Sequence, residues 1–301
     1  EVLCKKIPAF GNTQTVGGHS IRTEYNRTFR MNFKQYLYNF AKKIKLRKSM
    51  KNKYVEFVSD EHLLNCISAL YTSYINAKKD ITKKKFYDNK IDVFKMLFDK
   101  KFRNLTDEQL IESEIERQVD RTIVNAIGTF HENVLSGVTG YAKVGTGIDI
   151  KSTDDKIFIE LKNKFNTVKG EDNKSIFTKL LGEIEKNPNS RAYFARILDV
   201  KSTNSKWSFS HKKVPFENEN IFIISGDQLY KLVTGKDNSL FLLYKNLPNA
   251  ISDFLSSIKA ENSKENSALS EIKESASKSK RTILDEITFE NFNYYLGFDK
   301  L

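Results

Sequence analysis

Two acids and a lysine stand close together in Gly145-Thr-Gly-Ile-Asp149-Ile-Lys-Ser-Thr-Asp-Asp-Lys-Ile-Phe-Ile-Glu160-Leu-Lys162-Asn-Lys164. Ile157 to Lys162 is apolar and β-branched, the composition of a half-buried strand. Ser152 to Asp155 supply turn residues. Side chains alternate along a strand, so Phe158, Glu160 and Lys162 share one face and Ile157, Ile159 and Leu161 the other. With Asp154 and Asp155 at the turn centre, antiparallel pairing sets Lys151 against Phe158 and Asp149 against Glu160. The two carboxylates then become cross-strand neighbours, with β-carbons about 5 Å apart. Like charges that close repel, so one takes up a proton or a cation sits between them. Lys162 is one such cation; a divalent metal is the other.

An Asp followed on the next strand by Glu-x-Lys resembles the active-site pattern of the PD-(D/E)xK nucleases. The resemblance extends over roughly residues 105 to 240. Glu112-Ser-Glu-Ile-Glu-Arg-Gln-Val-Asp-Arg121, Asn125-Ala-Ile-Gly-Thr-Phe-His131, Gly147-Ile-Asp149 and Glu160-Leu-Lys-Asn-Lys-Phe-Asn-Thr167 are similar to the type II restriction endonucleases that cut GGNCC or GGWCC sites. Ile148 stands where that pattern usually has Pro. The resemblance implies a restriction-endonuclease-like α/β core, a mixed β-sheet flanked by helices, preceded by an N-terminal helical region. It implies Mg²⁺ as cofactor, double-stranded DNA as substrate and a homodimer.

Phosphodiester hydrolysis needs an activated water and neutralised charge at the phosphate. Asp149 and Glu160 are the expected metal ligands. The resemblance adds the main-chain carbonyl of Leu161 as a third. Lys162 is expected to orient or deprotonate the water and to stabilise charge developing on the phosphorane. Glu-x-Lys and Asp-x-Lys are cheap patterns in this chain, and most copies lie in polar segments. Asp199-Val-Lys201 is the serious rival, because it closes an apolar strand; Glu160 would then be the upstream acid.

The elements that must position these residues follow from periodicity. Thr106-Asp-Glu-Gln109 is a capping-box start for a long helix to about Val134. Ile115, Val119, Ile123, Ala126, Phe130 and Val134 share one of its faces. Glu114, Gln118, Arg121, Asn125, Gly128 and Glu132 share the opposite one. Asn125 and Gly128 are poor helix formers, and a close approach to the active site or DNA explains them there. Glu114, Gln118, Asn125 and Glu132 are therefore expected as supporting residues, in competition with an ordinary solvated stripe.

Upstream, Phe33, Leu37, Phe40, Ala41 and Ile44 form one helical pattern, and Leu63 to Tyr74 another, begun after Ser59-Asp60. Lys78 to Lys90 reads as a basic linker and Ile91 to Phe98 as a short helix. Downstream, a helix is expected at about Ser175 to Lys186, and strands at Tyr193 to Val200 and Asn220 to Ser225. Helices are expected at Asp227 to Val233 and about Leu240 to Ile258. The polar segments Asn163 to Asn173 and Lys201 to Lys213 are nearest the hairpin along the chain. Asn163, Lys164, Asn166, Lys201, Lys206, Lys212 and Lys213 are the expected DNA contacts. About four strands surrounded by helices make a mixed α/β domain.

The expected organisation is a peripheral extension over 1–30 and a nuclease domain over 31–260. The latter divides into a helical part, 31–136, and a catalytic core, 137–260. A tail with an aromatic segment covers 261–301. The chain begins with Glu1, so an extension or upstream start is expected. Phe289, Phe292, Tyr294, Tyr295 and Phe298 are candidates for a dimer interface or for cover of the chain's own core, as are the N-terminal helices for the interface.

The chain has 301 residues, 39% of them hydrophobic, and 22 phenylalanines, enough to bury a core rather than remain disordered. Fifty Lys and Arg against 38 Asp and Glu give a net charge of +12, which suits a polyanion; a lysine-rich surface by default is the competing explanation. Cys4 and Cys66 form no framework, consistent with a reducing cytoplasm. No Cys/His spacing suggests zinc. No run of about 18 apolar residues spans a membrane. No Walker loop is present, so a nucleotide cofactor is not expected. His131 is expected to be structural. The leading expectation is a Mg²⁺-dependent, site-specific DNA endonuclease. The alternatives are a repair or recombination nuclease with the same core, a DNA-binding protein that does not cut, and a helical scaffold.

Overall fold

The structure, a computed structural model, describes residues 52–79, 81–167, 170–258 and 267–293. They belong to a compact unit, Lys51–Leu301. In chain order the helices are α1 (Asp60–Lys79), α2 (Lys83–Asp88), α3 (Val93–Phe102), α4 (Asp107–Ser136), α5 (Gly170–Lys186), α6 (Gly226–Thr234), α7 (Ser239–Ser257), α8 (Ala268–Ser279) and α9 (Ile283–Phe292). The strands are β1 (Tyr141–Lys143), β2 (Ile150–Ser152), β3 (Ile157–Lys164), β4 (Arg191–Leu198), β5 (Asn204–Lys206), β6 (Phe209–His211), β7 (Val214–Phe216) and β8 (Ile221–Ser225). The extension over 1–30 and the helical pattern at Phe33 to Ile44 lie outside the described residues.

One six-stranded sheet has the order β1-β2-β3-β4-β8-β5. Its centre, β3, β4 and β8, is parallel, while β1, β2 and β5 run antiparallel to their neighbours. The parallel pair β3/β4 needs a crossover, and α5 supplies it. Tyr193-Phe-Ala is continuously apolar because β4 is covered on both faces. On one face Ile159, Leu161, Tyr193, Ala195 and Ile224 meet α1, the end of α4, α6 and α7. On the other, Phe158, Ala192, Phe194 and Ile221 meet Ile176, Phe177 and Leu180 of α5, with Trp207. The ribbon β6/β7 lies on that second face, where Phe209 and Phe216 contact Phe177.

The capping box forms as the sequence predicts: Gln109 N donates to Thr106 Oγ1 at 3.3 Å, and Thr106 N donates to Gln109 Oε1 at 2.9 Å. The 30-residue α4 is about 45 Å long. Its C-terminal half, through Phe130, Val134 and Leu135, packs beneath the sheet. Its N-terminal half, through Leu110, Ile111, Ile115 and Val119, belongs to a separate core with Phe86, Met96, Ile272 and Ile287.

Several boundaries differ from expectation. The basic linker at Lys78 to Lys90 holds a helix, because Thr82 caps it and Phe86 is fully buried. The next helix runs from Val93 to Phe102 instead of Ile91 to Phe98. The short strands β1 and β5 and the ribbon β6/β7 extend the count beyond four; Asn204-Ser-Lys206 is too polar to announce a strand. The described part of 261–301 does not trail away: Ala268, Ile272, Leu284 and Ile287 build the second core. Phe292 packs on that core, and the Phe289 ring sits 3.7 Å from the Arg281 guanidinium carbon. Both aromatics therefore have contacts within the chain. Tyr294, Tyr295 and Phe298 lie outside the described residues.

Candidate active site

The hairpin pairs Ile150 with Ile159 and Lys151 with Phe158, the register expected from the turn residues. Asp155 takes a left-handed conformation, φ 55°, and closes that turn. Asp149 N donates to Ile159 O at 3.0 Å, which keeps Asp149 level with Glu160. Beyond this point the strands part. The β3 strand runs on to Lys164, paired there with Leu198 of β4, while the chain before Asp149 turns away through Gly147, φ +92°. The acids sit in the fork.

The Asp149 carboxylate folds onto the neighbouring strand, where Leu161 N donates to its Oδ2 at 2.6 Å. Burial holds the Asp149 carboxyl above the ordinary carboxylate range; the Leu161 N–H opposes this, Glu160 and Glu132 add to it, and Lys162 lowers it. Glu160 is buried, its side chain 4% exposed, with Oε1 at 2.7 Å from Lys162 Nζ and Oε2 at 2.7 Å from Lys179 Nζ. Lys162 Nζ also lies 3.4 Å from the Leu161 carbonyl oxygen. Two hard carboxylates, the Leu161 carbonyl and two ammoniums thus line the fork. Among the described residues no group of three His, Cys, Asp or Glu side chains stands ready for a metal. A two-carboxylate set is what magnesium accepts, since it keeps several waters and uses one or two acids.

Lys179, in the middle of α5, was not singled out by the sequence. It lies two residues after Phe177 and directly before Leu180, both buried against the sheet. A lysine at the edge of that apolar stripe was the available signal, but only the packing of α5 shows which strand it reaches.

The polar stripe of α4 divides. Glu132 lies close enough to influence Asp149 and is paired with Lys143 at 2.8 Å. Gly128 approaches Asn163, the residue after Lys162; a Cβ there would meet the Asn163 Cβ at 3.7 Å, an ordinary contact that does not by itself demand glycine. Asn125, one turn earlier, is exposed. Glu114 and Gln118 are drawn elsewhere. Arg117 Nε donates to Glu114 at 2.8 Å, and Gln118 Nε2 donates to Phe86 O at 3.1 Å and to Glu114 at 3.0 Å. Fourteen residues of helix separate Glu114 from Gly128, about 21 Å. Those two serve the second core because α4 continues past the sheet.

The rival acid does not join the site. Glu160 pairs with Phe194, so Asp199 lies five residues on, about 16 Å along the strand. Arg196 holds the Asp199 carboxylate, with Nη2 at 2.7 Å and Nε at 3.0 Å.

Within Asn163 to Asn173 the described residues form regular elements. They are the end of β3, a 3-10 turn Phe165–Thr167 and the start of α5, which begins at Gly170 rather than Ser175. Asn163 is half-buried; Lys164, Asn166 and Lys201 are exposed at the C-terminal ends of the parallel strands. Lys212 and Lys213 form the turn of the ribbon with φ 49° and 67°. Lys212 Nζ and His211 Nε2 both reach Glu171 near the start of α5, at 2.7 and 3.0 Å. Lys206 is separated from the others. It pairs with Glu219 and lies opposite Phe222 on β5, three strands from β3, about 14 Å across the sheet.

Among the described residues no competing nucleophile emerges. His131 Nδ1 is 2.9 Å from Tyr230 Oη, and burial pushes the imidazole down to about 4. Cys66 is buried, its thiol pushed up to about 12 mainly by that burial. Among the described residues no helix is long and apolar enough to cross a membrane.

Comparison with known proteins places the chain among restriction enzymes. Residues 55–256 match the family described as Eco47II restriction endonuclease. The type II restriction enzyme Sau96I of Staphylococcus aureus is 38% identical over 261 residues, covering 83% of this chain and 100% of that protein. The type II restriction enzyme Eco47II of Escherichia coli is 37% identical over 214 residues, covering 67% of this chain and 88% of that protein.

Proposed function

Because the chain belongs to the Eco47II restriction endonuclease family, and is thereby a type II site-specific deoxyribonuclease, we propose that Asp149, Glu160 and Lys162 carry its chemistry on double-stranded DNA. The supporting observation is the fork between β2 and β3, which holds the two carboxylates level and sets the Lys162 ammonium beside them. The proposed cofactor is Mg²⁺, held by Asp149, Glu160 and the Leu161 carbonyl. When bound it supplies an acidified water and neutralises the phosphate. The Asp149 carboxylate keeps its orientation through the Leu161 N–H. Lys162 directs its ammonium at the attacking water and at the charge that grows on the phosphorane oxygens. Glu132 adds negative potential from α4.

The target we propose is a short palindrome of the GGNCC or GGWCC kind, on the resemblance of the motif run around the site. Asn163, Lys164, Asn166, Lys201, Lys212 and Lys213 surround one end of the sheet and supply the contacts to DNA. The ribbon turn sets Lys212 and Lys213 beside the start of α5, where Lys212 reaches Glu171, which supports this assignment. One fork cuts one strand, so a duplex break within a palindrome calls for two chains about a two-fold axis. The free Cys66 thiol suits a reducing cytoplasm.

Substitution tests the site. Glu160→Ala and Asp149→Ala are expected to abolish cleavage in Mg²⁺ while retaining or strengthening duplex binding in Ca²⁺. Lys162→Ala is expected to abolish cleavage and keep metal binding. Substantial cutting by Glu160→Ala would reject the assignment. Solution mass with a cognate duplex in Ca²⁺ tests the dimer: one chain per duplex at saturation, with both strands still cut at single sites, would defeat it.

A further inference from the structure

Glu160 carries one cation more than the Glu-x-Lys pattern provides. Lys162 comes from its own strand, but Lys179 comes from α5, and the two ammoniums divide the carboxylate, 2.7 Å to Oε1 and 2.7 Å to Oε2. The carboxylate is almost inaccessible, whereas each lysine side chain is about a third exposed, at 36% and 35%. The lysines can therefore swing toward water or a phosphate while Glu160 stays. Asp149 receives the Leu161 N–H instead of an ammonium. Asp149, Glu160, Lys162 and Lys179 together are neutral when all are ionised, so nothing in the group calls for a further cation until one lysine leaves.

We propose that Lys179 is a positioning residue: its ammonium holds Glu160 level with Asp149 in the metal-free enzyme and yields Oε2 to the divalent cation, so that metal loading and release of Lys179 are coupled. The proposal rests on the assignment of Asp149 and Glu160 as metal ligands. Lys179 has a different duty from Lys162. Oε2 faces away from the lysine of the motif, and an ammonium there competes with the metal for the same lone pairs. Once displaced, Lys179 remains tethered to α5 above the fork, where it adds positive charge beside the incoming DNA. Removing it has opposite effects on two observables. The metal-free site becomes more negative and binds a divalent cation more tightly, while strand cleavage slows because the phosphate loses a cation. A lysine that merely stabilised the fold would give the second effect without the first.

The test is a Mn²⁺ titration of the full-length, DNA-free protein by electron paramagnetic resonance or calorimetry, run on the wild type, Lys179→Met, Lys179→Arg and Glu160→Gln. Lys179→Met is expected to bind Mn²⁺ about ten-fold more tightly, the size of one unit charge acting on a divalent ion a few ångström away even at the dielectric of water. Lys179→Arg is expected to bind more weakly than wild type, because a guanidinium grips a carboxylate with two parallel hydrogen bonds. The arginine variant retains the charge, so it carries the test if the methionine variant does not fold. Mn²⁺ affinity unchanged in either folded Lys179 variant, or weakened in Lys179→Met, overturns the coupling while Glu160→Gln still abolishes binding. Binding that survives Glu160→Gln, or is absent from the wild type, overturns the metal-ligand assignment itself and the coupling with it.

Discussion

The lysines proposed to contact DNA make a quantitative test, because the structure separates them into different kinds. Lys201 and Lys213 are exposed, and among the described residues neither has an ion pair that would have to break. Lys206 is held by Glu219 on the far edge strand. Each phosphate contact adds about 0.9 to the slope of log affinity against log salt. In the proposed dimer these substitutions remove four lysines from the complex, so Lys201→Gln with Lys213→Gln is expected to lower the slope by about 3.6, and Lys206→Gln to leave it unchanged. Between 50 and 200 mM salt the double variant should lose about 150-fold less affinity than the wild type. Fluorescence anisotropy of a labelled duplex, titrated in Ca²⁺ at several salt concentrations, measures this directly. A Lys206 variant that lowers the slope as much as the pair, or a pair that leaves it unchanged, would show that the DNA lies on another face.

Three further outcomes follow from particular contacts. At Gly226 a Cβ would stand 2.4 Å from the carbonyl oxygen of Ile197, which is main chain and cannot swing aside. Gly226→Ala is expected to cost about 1–3 kcal/mol in urea denaturation; a loss below about 0.5 kcal/mol would mean that α6 shifts freely. Trp207 is 6% exposed and lies 4.7 Å from the Phe194 ring and 5.1 Å from the Phe209 ring. Trp207→Ala should cost about 3–5 kcal/mol, and the wild-type emission should be blue-shifted until the protein unfolds. The raised Asp149 carboxyl makes its protonated form the one that folding favours, a contribution present below the ordinary value near 3.8 and lost as pH rises through the raised one. Asp149→Asn, whose amide oxygen still accepts from Leu161, should thus be more stable than metal-free wild type at neutral pH. That advantage should shrink in acid, as read from denaturation midpoints at pH 4 and 7.

The hairpin was legible because two independent signals agree on its register. Strand alternation puts Ile159 and Leu161 inward, and Ser152 to Asp155 fix the turn, so Asp149 and Glu160 had to meet. Thr106 and Gln109 announced α4 by chemistry confined to four residues. What remained hidden depends on contacts between distant elements. Periodicity groups Glu114 with Glu132 on one stripe but is blind to the sheet ending partway along the helix, so half of that stripe went to another core. Lys179 is one lysine among many until α5 is laid against β3. Lys206 and Lys212 read as free basic residues because Glu219 and Glu171 reach them only through the folded chain. The sequence run around the site pointed to the family, but composition alone did not: a charge of +12 suits many proteins that bind polyanions.

The most direct test is a plasmid digest with purified protein in Mg²⁺, followed by sequencing of the fragment ends, with Glu160→Ala as the control. The expected result is a set of discrete fragments whose ends all derive from one short palindrome, and intact plasmid with the variant. A smear of unrelated ends, or discrete cutting that persists in Glu160→Ala, would contradict a site-specific nuclease built on the fork between β2 and β3.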